Sequence, residues 1–296
     1  MPAAITHYFQ AQRVWETLKE QGSKFELNKD AFLWGAQGPD FLYCHRYLPW
    51  QRGDSLKEYA EKLHLEKPSK TLAIMREYFG MDNHNTLKLS YIYGFLCHYS
   101  LDRICHPFIQ YGAQTLLRSN PEQGEDILHN QIESALDVII LRYEKAALPV
   151  EFNLKRTVPK NAEVQTGISE LYAYLLNRMF DLKDSGSMIL QATNDCRFVF
   201  GLLNDRTTLK QAIAERIEKG DKRFVSCHFR GISEGDEYDY ANVLHDDWNW
   251  PLGSENIRNE SFLELYEDSV LDSMGLIGSF LETDDYDKMT NNILFI

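Results

Sequence analysis

Residues 97–107 read CHYSLDRICHP, and this stretch decides how the whole chain is interpreted. It places His98, Asp102 and His106 four residues apart, at the end of a run over 86–106 whose apolar side chains recur at helical spacing. Side chains four residues apart share one helix face, from which a rigid element can chelate a metal ion. Pro107 disfavours helical geometry at the residue before it, so we expect the helix to end there and the His106 ring to turn away.

This pattern is specific, although it does not decide the chemistry by itself. A His-x3-Asp-x3-His arrangement is expected only ~0.02 times by chance in a chain of this composition. Buried histidine and aspartate side chains need hydrogen-bond partners in any case, so three ordinary polar residues on a buried helix are the alternative interpretation. The residues alone leave both interpretations open.

Four further candidate sites lie before or after this segment. His129 and Glu133 again stand four residues apart, on a predicted helix that follows the first after one connection. A His-x3-Glu pair is expected ~0.7 times by chance, so it gains weight only from that position. Asp40 follows a Gly-Pro pair, His7 precedes a predicted helix, and His64 lies in a charged helical segment. Taken singly, these three are typical of a turn, a cap and a solvated helix face.

The composition limits the class of protein. The 296 residues are 44% hydrophobic and 25% charged, with 17 glycines and 9 prolines, which excludes disordered and collagen-like classes. The net charge of -13 is unsuited to duplex nucleic acid, where lysine and arginine contacts with phosphate dominate affinity. It is equally unsuited to resting on an anionic membrane by charge alone. We therefore expect no duplex nucleic acid partner, although bound metal ions could still create a local cationic site.

The cysteines and the first residues indicate a compartment. Five cysteines, an odd number without paired spacing, argue against a disulfide framework. The first residues lack the basic stretch and apolar run of a signal peptide, and no apolar run approaches the ~20 residues of a membrane span. We expect a cytoplasmic protein without a transmembrane segment.

The apolar periodicity predicts an all-α, multi-helix fold. The predicted helices cover 8–20, 69–80, 86–106, 124–146, 164–182, 186–204, 206–219 and 260–282, and no stretch alternates convincingly as a strand. We expect one domain over 1–296, with a soft boundary at 147–162 between a metal-site half, 1–146, and a helical C-terminal half, 147–296. The segments 34–54 and 220–258 are predicted to be long loops, which often carry function.

Taken in order, the candidate residues resemble the zinc-dependent phospholipase C family, which shares its fold with zinc nucleases that prefer single strands. The matching order is His7, Asp40 after Gly-Pro, His64, His98-x3-Asp102-x3-His106 and His129-x3-Glu133. Residues 94–102, GFLCHYSLD, are similar to a bacterial, non-secreted branch of the family, and so are WNWP at 248–251 and SFLELY at 261–266.

The resemblance implies an all-α fold that holds up to three zinc ions. The ligands implied for one ion are Asp40, His64, His98 and Asp102. Those implied for a second ion are His106, His129 and Glu133. Asp102 would bridge to a third ion, completed by His7 and by the terminal amine and carbonyl of the chain. His45 is the alternative to His64, because it lies closer in sequence to the Gly-Pro-Asp turn.

The sequence departs from the family at its first residues. Secreted members expose an N-terminal tryptophan, whereas this chain begins Met1-Pro2. We expect Met1 to be trimmed so that Pro2 supplies the terminal chelate beside His7. Retention of Met1 in active protein, measured by mass spectrometry, would contradict this expectation.

The implied activity is metal-dependent hydrolysis of a phosphodiester, phospholipase C-like, with water activated by the zinc cluster and oriented by Asp40 as the catalytic carboxylate. The substrate class is a phospholipid head group or a similar phosphodiester. The aromatic side chains Phe41, Tyr43, Tyr47 and Trp50 are candidates to line the cleft, although packing under a loop explains them equally well.

Other functions fit parts of the sequence. His245-Asp246 supplies the dyad of a different all-α metal phosphohydrolase class, but in a loop rather than on a helix. A nuclease-like phosphodiesterase, or a non-enzymatic helical binding protein with a retained or degenerate metal site, are further alternatives. A ferritin-like di-iron bundle needs Glu-x-x-His pairs and is set aside. Cys97 and Cys105 adjoin candidate ligands but are typical of small buried hydrophobic residues.

Overall fold

A computed structural model describes residues 4–22, 25–48, 50–205, 207–218, 225–231 and 238–295 of the chain. Within these ranges the fold is α-helical, which confirms the predicted class. The α-helices are α1 (Ala4–Glu20), α2 (Lys29–Ala36), α3 (Lys57–Leu65), α4 (Pro68–Gly80), α5 (Thr86–Ser119), α6 (Glu125–Lys145), α7 (Ala162–Phe180), α8 (Gly186–Leu203), α9 (Leu209–Ile217), α10 (Phe262–Phe280) and α11 (Tyr286–Thr290). Short 3-10 helices cover Gly38–Cys44, Pro149–Glu151, Leu154–Arg156 and Ser226–His228.

Helix α5 is the central element, and it is longer than predicted. Asn85 caps its first turn by accepting a hydrogen bond from the Lys88 amide. The expected end at His106 is wrong, since the helix continues through Pro107 to Ser119. An interior proline costs about 3 kcal/mol. Phe108 and Ile109 are buried directly after the proline, and burying two such side chains offsets this cost.

Helices α2, α6 and α10 pack around α5, and α1 packs on α6. Helices α2 and α5 cross so closely that their backbones are in direct contact at glycine residues. A Cβ on Gly35 would lie 2.1 Å from the Tyr91 carbonyl oxygen, and one on Gly94 would lie 2.0 Å from that of Phe32. Only glycine permits this approach, which brings the segment after α2 against the middle of α5.

The segment predicted as the loop 34–54 is largely structured in this fold. Helix α2 occupies 29–36, and a 3-10 helix follows over 38–44 with Pro39 in its first turn. Trp34 and Phe41 are fully buried here, and their rings meet edge to face with centroids 6.1 Å apart. Burial of these two aromatic side chains explains why residues 34–44 are helical and do not lie on the surface as a loop.

The predicted loop 220–258 contains small elements in its described parts. Trp248–Asn249 (β1) pairs antiparallel with Ile257–Arg258 (β2), a two-residue ladder that the alternation analysis missed. Pairs this short leave no periodicity in the sequence. Helix α11 was also missed, since five residues carry too little pattern.

The second half of the chain packs back onto the first. Helix α7 lies on α8 and contacts α4, while α10 lies along α5 and α11 contacts α4. One cluster of buried apolar side chains runs from Ala4 to Phe295. None of the described helices combines the length and the apolarity needed to cross a bilayer. The boundary expected at 147–162 stays a prediction.

Candidate metal centre

Helix α5 presents the three residues of the opening pattern on one buried face. His98, Asp102 and His106 are exposed by only 0%, 4% and 8%. Nε2 of His98 lies 3.1 Å from Oδ2 of Asp102, and Nδ1 of His106 lies 3.9 Å from Oδ1 of the same carboxylate. The expectation that Pro107 turns the His106 ring away is wrong, because the residue stays helical and its ring remains on this face.

Asp40 and His64 complete the first group around this helix. Nε2 of His64 lies 3.1 Å from Oδ1 of Asp40 and 4.0 Å from Oδ2 of Asp102, while Oδ2 of Asp40 lies 3.9 Å from Nε2 of His98. The His64 ring is oriented by its own helix, since Nδ1 lies 2.7 Å from the carbonyl oxygen of Ala60. A carbonyl only accepts, so Nδ1 carries a hydrogen and Nε2 is the ring nitrogen directed at the carboxylates.

Gly38 is the reason that Asp40 can approach so closely. It adopts a φ of +53°, and a Cβ on it would lie 2.1 Å from the His98 ring. Gly38 therefore meets two requirements: it adopts a left-handed backbone conformation, and it leaves room for the ring of the candidate ligand His98. Both explain why glycine precedes proline in this turn.

The second group joins α5 to α6. Oε1 of Glu133 lies 3.2 Å from Nε2 of His129 and 3.7 Å from Nε2 of His106. Nδ1 of His106 lies 2.5 Å from the carbonyl oxygen of Phe295, so the ring faces the glutamate with Nε2. Glu133 is buried, whereas His129 keeps 21% of its side chain exposed. The centre therefore meets solvent on the His129 side.

His7 approaches from α1 on the other side of Asp102. Its Nε2 lies 3.2 Å from Oδ1 of Asp102, and its ring centroid lies 4.5 Å from that of His98. Asp137 fixes the first turn of α1, because its carboxylate accepts hydrogen bonds from the amides of Ile5 and Thr6. The predicted chelate by Pro2 lies outside the described residues.

Five buried polar atoms of these residues have no hydrogen-bond partner among the described residues. They are Oδ2 of Asp40, Oδ2 of Asp102, Nδ1 and Nε2 of His98, and Nδ1 of His7. Leaving such an atom unsatisfied costs about 1–3 kcal/mol. Three sets have their ligand atoms within 4.8 Å of one another, namely His7–Asp40–His98, His64–His98–Asp102 and His106–His129–Glu133. Imidazole nitrogens and carboxylate oxygens suit zinc, so this donor set fits that metal.

The comparison with known families agrees with this geometry. The profile of the zinc dependent phospholipase C family matches residues 6–182, more than half of the chain. The chain belongs to the zinc-dependent phospholipase C family. All eight predicted site residues lie inside the match. No curated protein and no solved structure matches the chain significantly.

Burial and neighbouring charges set the pKa values of the candidate ligands. Burial lowers the pKa of His98 to about 4. Burial also lowers that of His106, but the charge of Asp102 and the hydrogen bond with Glu133 outweigh it and raise the pKa to about 9. Burial opposes ionisation of Asp102 and Glu133, yet the surrounding imidazoles hold the pKa of both carboxyls well below the usual range. Both therefore carry negative charge suited to a cation.

The structure separates His64 from its alternative. His45 is also fully buried, but its Nδ1 accepts a hydrogen bond from the Leu56 amide, and it joins no candidate metal group in the described part of the chain. The family match does not itself choose between the two histidines. The geometry places His64 with the other candidate ligands, and its role as a ligand stays a prediction.

The remaining candidates lie elsewhere in this family member. His245 is half exposed, and its Nδ1 donates to the Asn259 carbonyl, so the His-Asp dyad forms no group with other ligands in the described ranges. Burial raises the pKa of the Cys97 and Cys105 thiols, which keeps both protonated. Trp50 is 69% exposed, which does not suit a cleft-lining side chain in this structure.

Sequence reasoning missed two supports of the centre. Asp137 lies four residues after Glu133 on the same helix, a spacing that was a usable signal in the sequence. Its carboxylate also pairs with Arg230 at 2.6 Å from Nε. Phe295 left no local signal, because its contact with His106 spans 189 positions.

Proposed function

We propose that this chain is a metal-dependent phosphoric diester hydrolase with phospholipase C-like activity on a phospholipid head group or a similar phosphodiester. One observation carries the proposal. Eight buried or half-buried histidines and carboxylates converge from α1, α3, α5, α6 and the 3-10 helix over Gly38–Cys44, and some of their polar atoms have no hydrogen-bond partner in the described part of the chain.

The proposed ligands of up to three zinc ions are the eight predicted residues. His64, His98, Asp40 and Asp102 would hold one ion, His106, His129 and Glu133 a second, and His7 with Asp102 part of a third. Bound zinc supplies positive charge for phosphate oxygens and lowers the pKa of water toward neutrality. The Nδ1 contacts of His64 and His106 keep Nε2 of each ring directed inward for this purpose.

Asp40 is the proposed catalytic carboxylate. Its Oδ1 faces His64, while its Oδ2 has no hydrogen-bond partner among the described residues. A carboxylate oxygen of this kind can accept a hydrogen bond from water and orient it for attack on phosphorus. The backbone of Gly38 and Pro39 holds the side chain in place, so its position does not depend on the substrate.

The charge of the loaded centre favours an anionic substrate. Asp40, Asp102 and Glu133 contribute about -3, and three zinc ions contribute about +6. The resulting positive site attracts a phosphodiester despite the net charge of -13 of the chain. The partial exposure of His129 supports entry of such a substrate from that side.

The first test is zinc per chain, measured by elemental mass spectrometry on tag-free protein purified without chelators. We expect about three equivalents, and at least one fewer in the Asp102→Asn variant, because Asp102 lies between the groups. Asp195→Asn is the matched control, since Asp195 binds the Arg46 amide away from the centre.

Hydrolysis of soluble phosphodiesters and of phospholipid then tests the activity itself. We expect Asp40→Asn to lose at least about 100-fold in kcat and up to one zinc per chain, because Asp40 is both a proposed ligand of the first ion and the carboxylate proposed to orient water. Near-zero metal that added zinc does not restore would contradict the proposal and leave a helical binding protein.

A further inference from the structure

Phe295 contacts both groups of the candidate metal centre. Its side chain is 1% exposed, and its ring centroid lies 5.4 Å from that of His64 and 5.9 Å from that of His98. Its carbonyl oxygen lies 2.5 Å from Nδ1 of His106. One residue therefore packs on two candidate ligands of the first group and hydrogen-bonds a candidate ligand of the second.

The segment before Phe295 is anchored by the same helix that carries the ligands. Tyr99 donates its hydroxyl to the carbonyl of Ile293 at 2.7 Å. Nη1 of Arg103 lies 3.4 Å from the carbonyl oxygen of Thr290, and this guanidinium also pairs with Asp272 on α10. Tyr99 and Arg103 each follow a candidate ligand by one position. Helix α5 thus presents ligands on one face and holds the covering segment with the adjacent one.

The carbonyl contact fixes the orientation of the His106 ring. Because a carbonyl accepts but does not donate, Nδ1 of His106 carries a hydrogen, and Nε2 is the ring nitrogen directed at Glu133. Partners of this kind orient a ligating histidine and raise its basicity, and their removal typically costs 10–100-fold in metal affinity. The Phe295 ring packs against the His64 and His98 rings and restricts their rotation.

We propose that Phe295 is a positioning residue of this centre, acting through His106 by its carbonyl and through His64 and His98 by its ring. The proposal rests on the proposed function, since it requires these histidines to hold metal. It assigns to the C-terminal half a direct part in a centre whose predicted ligands all lie in 1–146.

The test is the zinc affinity of the full chain, measured by competition with a chromophoric chelator. Phe295→Ala removes the ring and loosens the carbonyl, so we expect the zinc affinity of at least one site to fall about 10–100-fold. Phe280→Ala is the matched control. This phenylalanine is equally buried on α10 and packs on Tyr286, so its loss should lower thermal stability and leave zinc affinity unchanged.

Two milder variants keep the test decisive if Phe295→Ala does not fold. Phe295→Leu retains an apolar side chain of similar size and should keep most of the wild-type zinc affinity. Tyr99→Phe removes only the hydroxyl that holds the Ile293 carbonyl, and a lost hydrogen bond of this kind corresponds to about a two- to tenfold loss. The absorption spectrum of the cobalt-loaded protein should change in Tyr99→Phe and stay unchanged in Phe280→Ala.

The outcomes separate this inference from the proposed function. Zinc affinity that is unchanged in Phe295→Ala and Tyr99→Phe, or reduced equally in Phe280→Ala, overturns the positioning role alone. A wild-type chain that binds zinc but hydrolyses no phosphodiester overturns the proposed function, while the affinities still support or overturn the positioning role. A wild-type chain that binds no zinc overturns both.

Discussion

The two halves of the chain bury different kinds of side chain. Four carboxylates are buried in 1–146, namely Asp40, Asp102, Glu133 and Asp137. In the described residues of 147–295, no aspartate or glutamate is buried. A buried charge is costly unless it is paired or binds metal, so such groups are kept where they have a function. The first half therefore contains the buried carboxylates on which the proposed function rests, whereas the second half contributes none in its described residues.

The helix crossing of the first half should be the least tolerant feature of the molecule. We expect Gly94→Ala to destabilise the fold by more than about 5 kcal/mol, because the new Cβ would meet backbone that cannot move aside. Urea denaturation of the purified variants measures this loss. Gly275→Ala on α10 is the control, since nothing lies within 4 Å of its Cβ position. It should gain about 0.5–1 kcal/mol from helix propensity.

Equal stability of the two glycine variants would contradict this comparison. It would show that α2 and α5 can separate without cost, and that the position of Asp40 does not depend on their contact.

The next largest effect is expected at the buried ion pair that joins the halves. Asp137→Asn leaves Arg230 without its anion and weakens the cap of α1, for a cost of about 3–5 kcal/mol. Because that cap holds the turn next to His7, zinc bound near His7 should also weaken. Thermal unfolding and zinc titration check the two parts separately. Glu77→Gln, which breaks an exposed pair with Arg178, should cost at most about 1 kcal/mol.

Zinc affinity that is unchanged in Asp137→Asn would indicate that His7 is positioned by the core alone. The two halves would then be coupled in stability but not in metal binding.

These contacts show what the sequence predicts and where it stops. The relation among His98, Asp102 and His106 follows from helical spacing, so it is visible in one stretch of sequence. The approach of His7 and Asp40 depends on how distant segments pack, and only the family resemblance implied it. Nothing local indicates that Phe295 reaches the centre.

The wrong predictions also arise where distant parts of the chain pack together. The predicted helix end at His106 and the predicted loop at 34–44 rest on local backbone preferences. The structure there is decided by burial of the neighbouring aromatic and aliphatic side chains. Tertiary packing routinely overrides propensities of this size. Residues whose role is to allow a close approach, such as Gly35 and Gly94, are also recognised only when both partners are seen.

A core substitution in the second half should cost stability without affecting the centre. Ile189 is fully buried on α8, and Ile189→Val should destabilise by about 0.5–1.5 kcal/mol. We expect its zinc content to equal that of the wild type, measured on the same preparation. A loss of zinc here would mean that support from the second half is not limited to Phe295.

The smallest effect is expected on α9, whose large apolar side chains face solvent. Leu209, Ile213 and Ile217 are 62%, 58% and 74% exposed, whereas Ala214 packs toward the core and Glu218 binds the Ser226 amide. Exposed substitutions away from special contacts usually change stability by less than about 0.5 kcal/mol, so Ile213→Gln should be neutral in urea denaturation. A cost above about 1 kcal/mol would mean that this apolar face is covered in solution. The second half would then have an apolar surface that is covered in solution. Its difference from the first half would no longer be described by the absence of buried carboxylates alone.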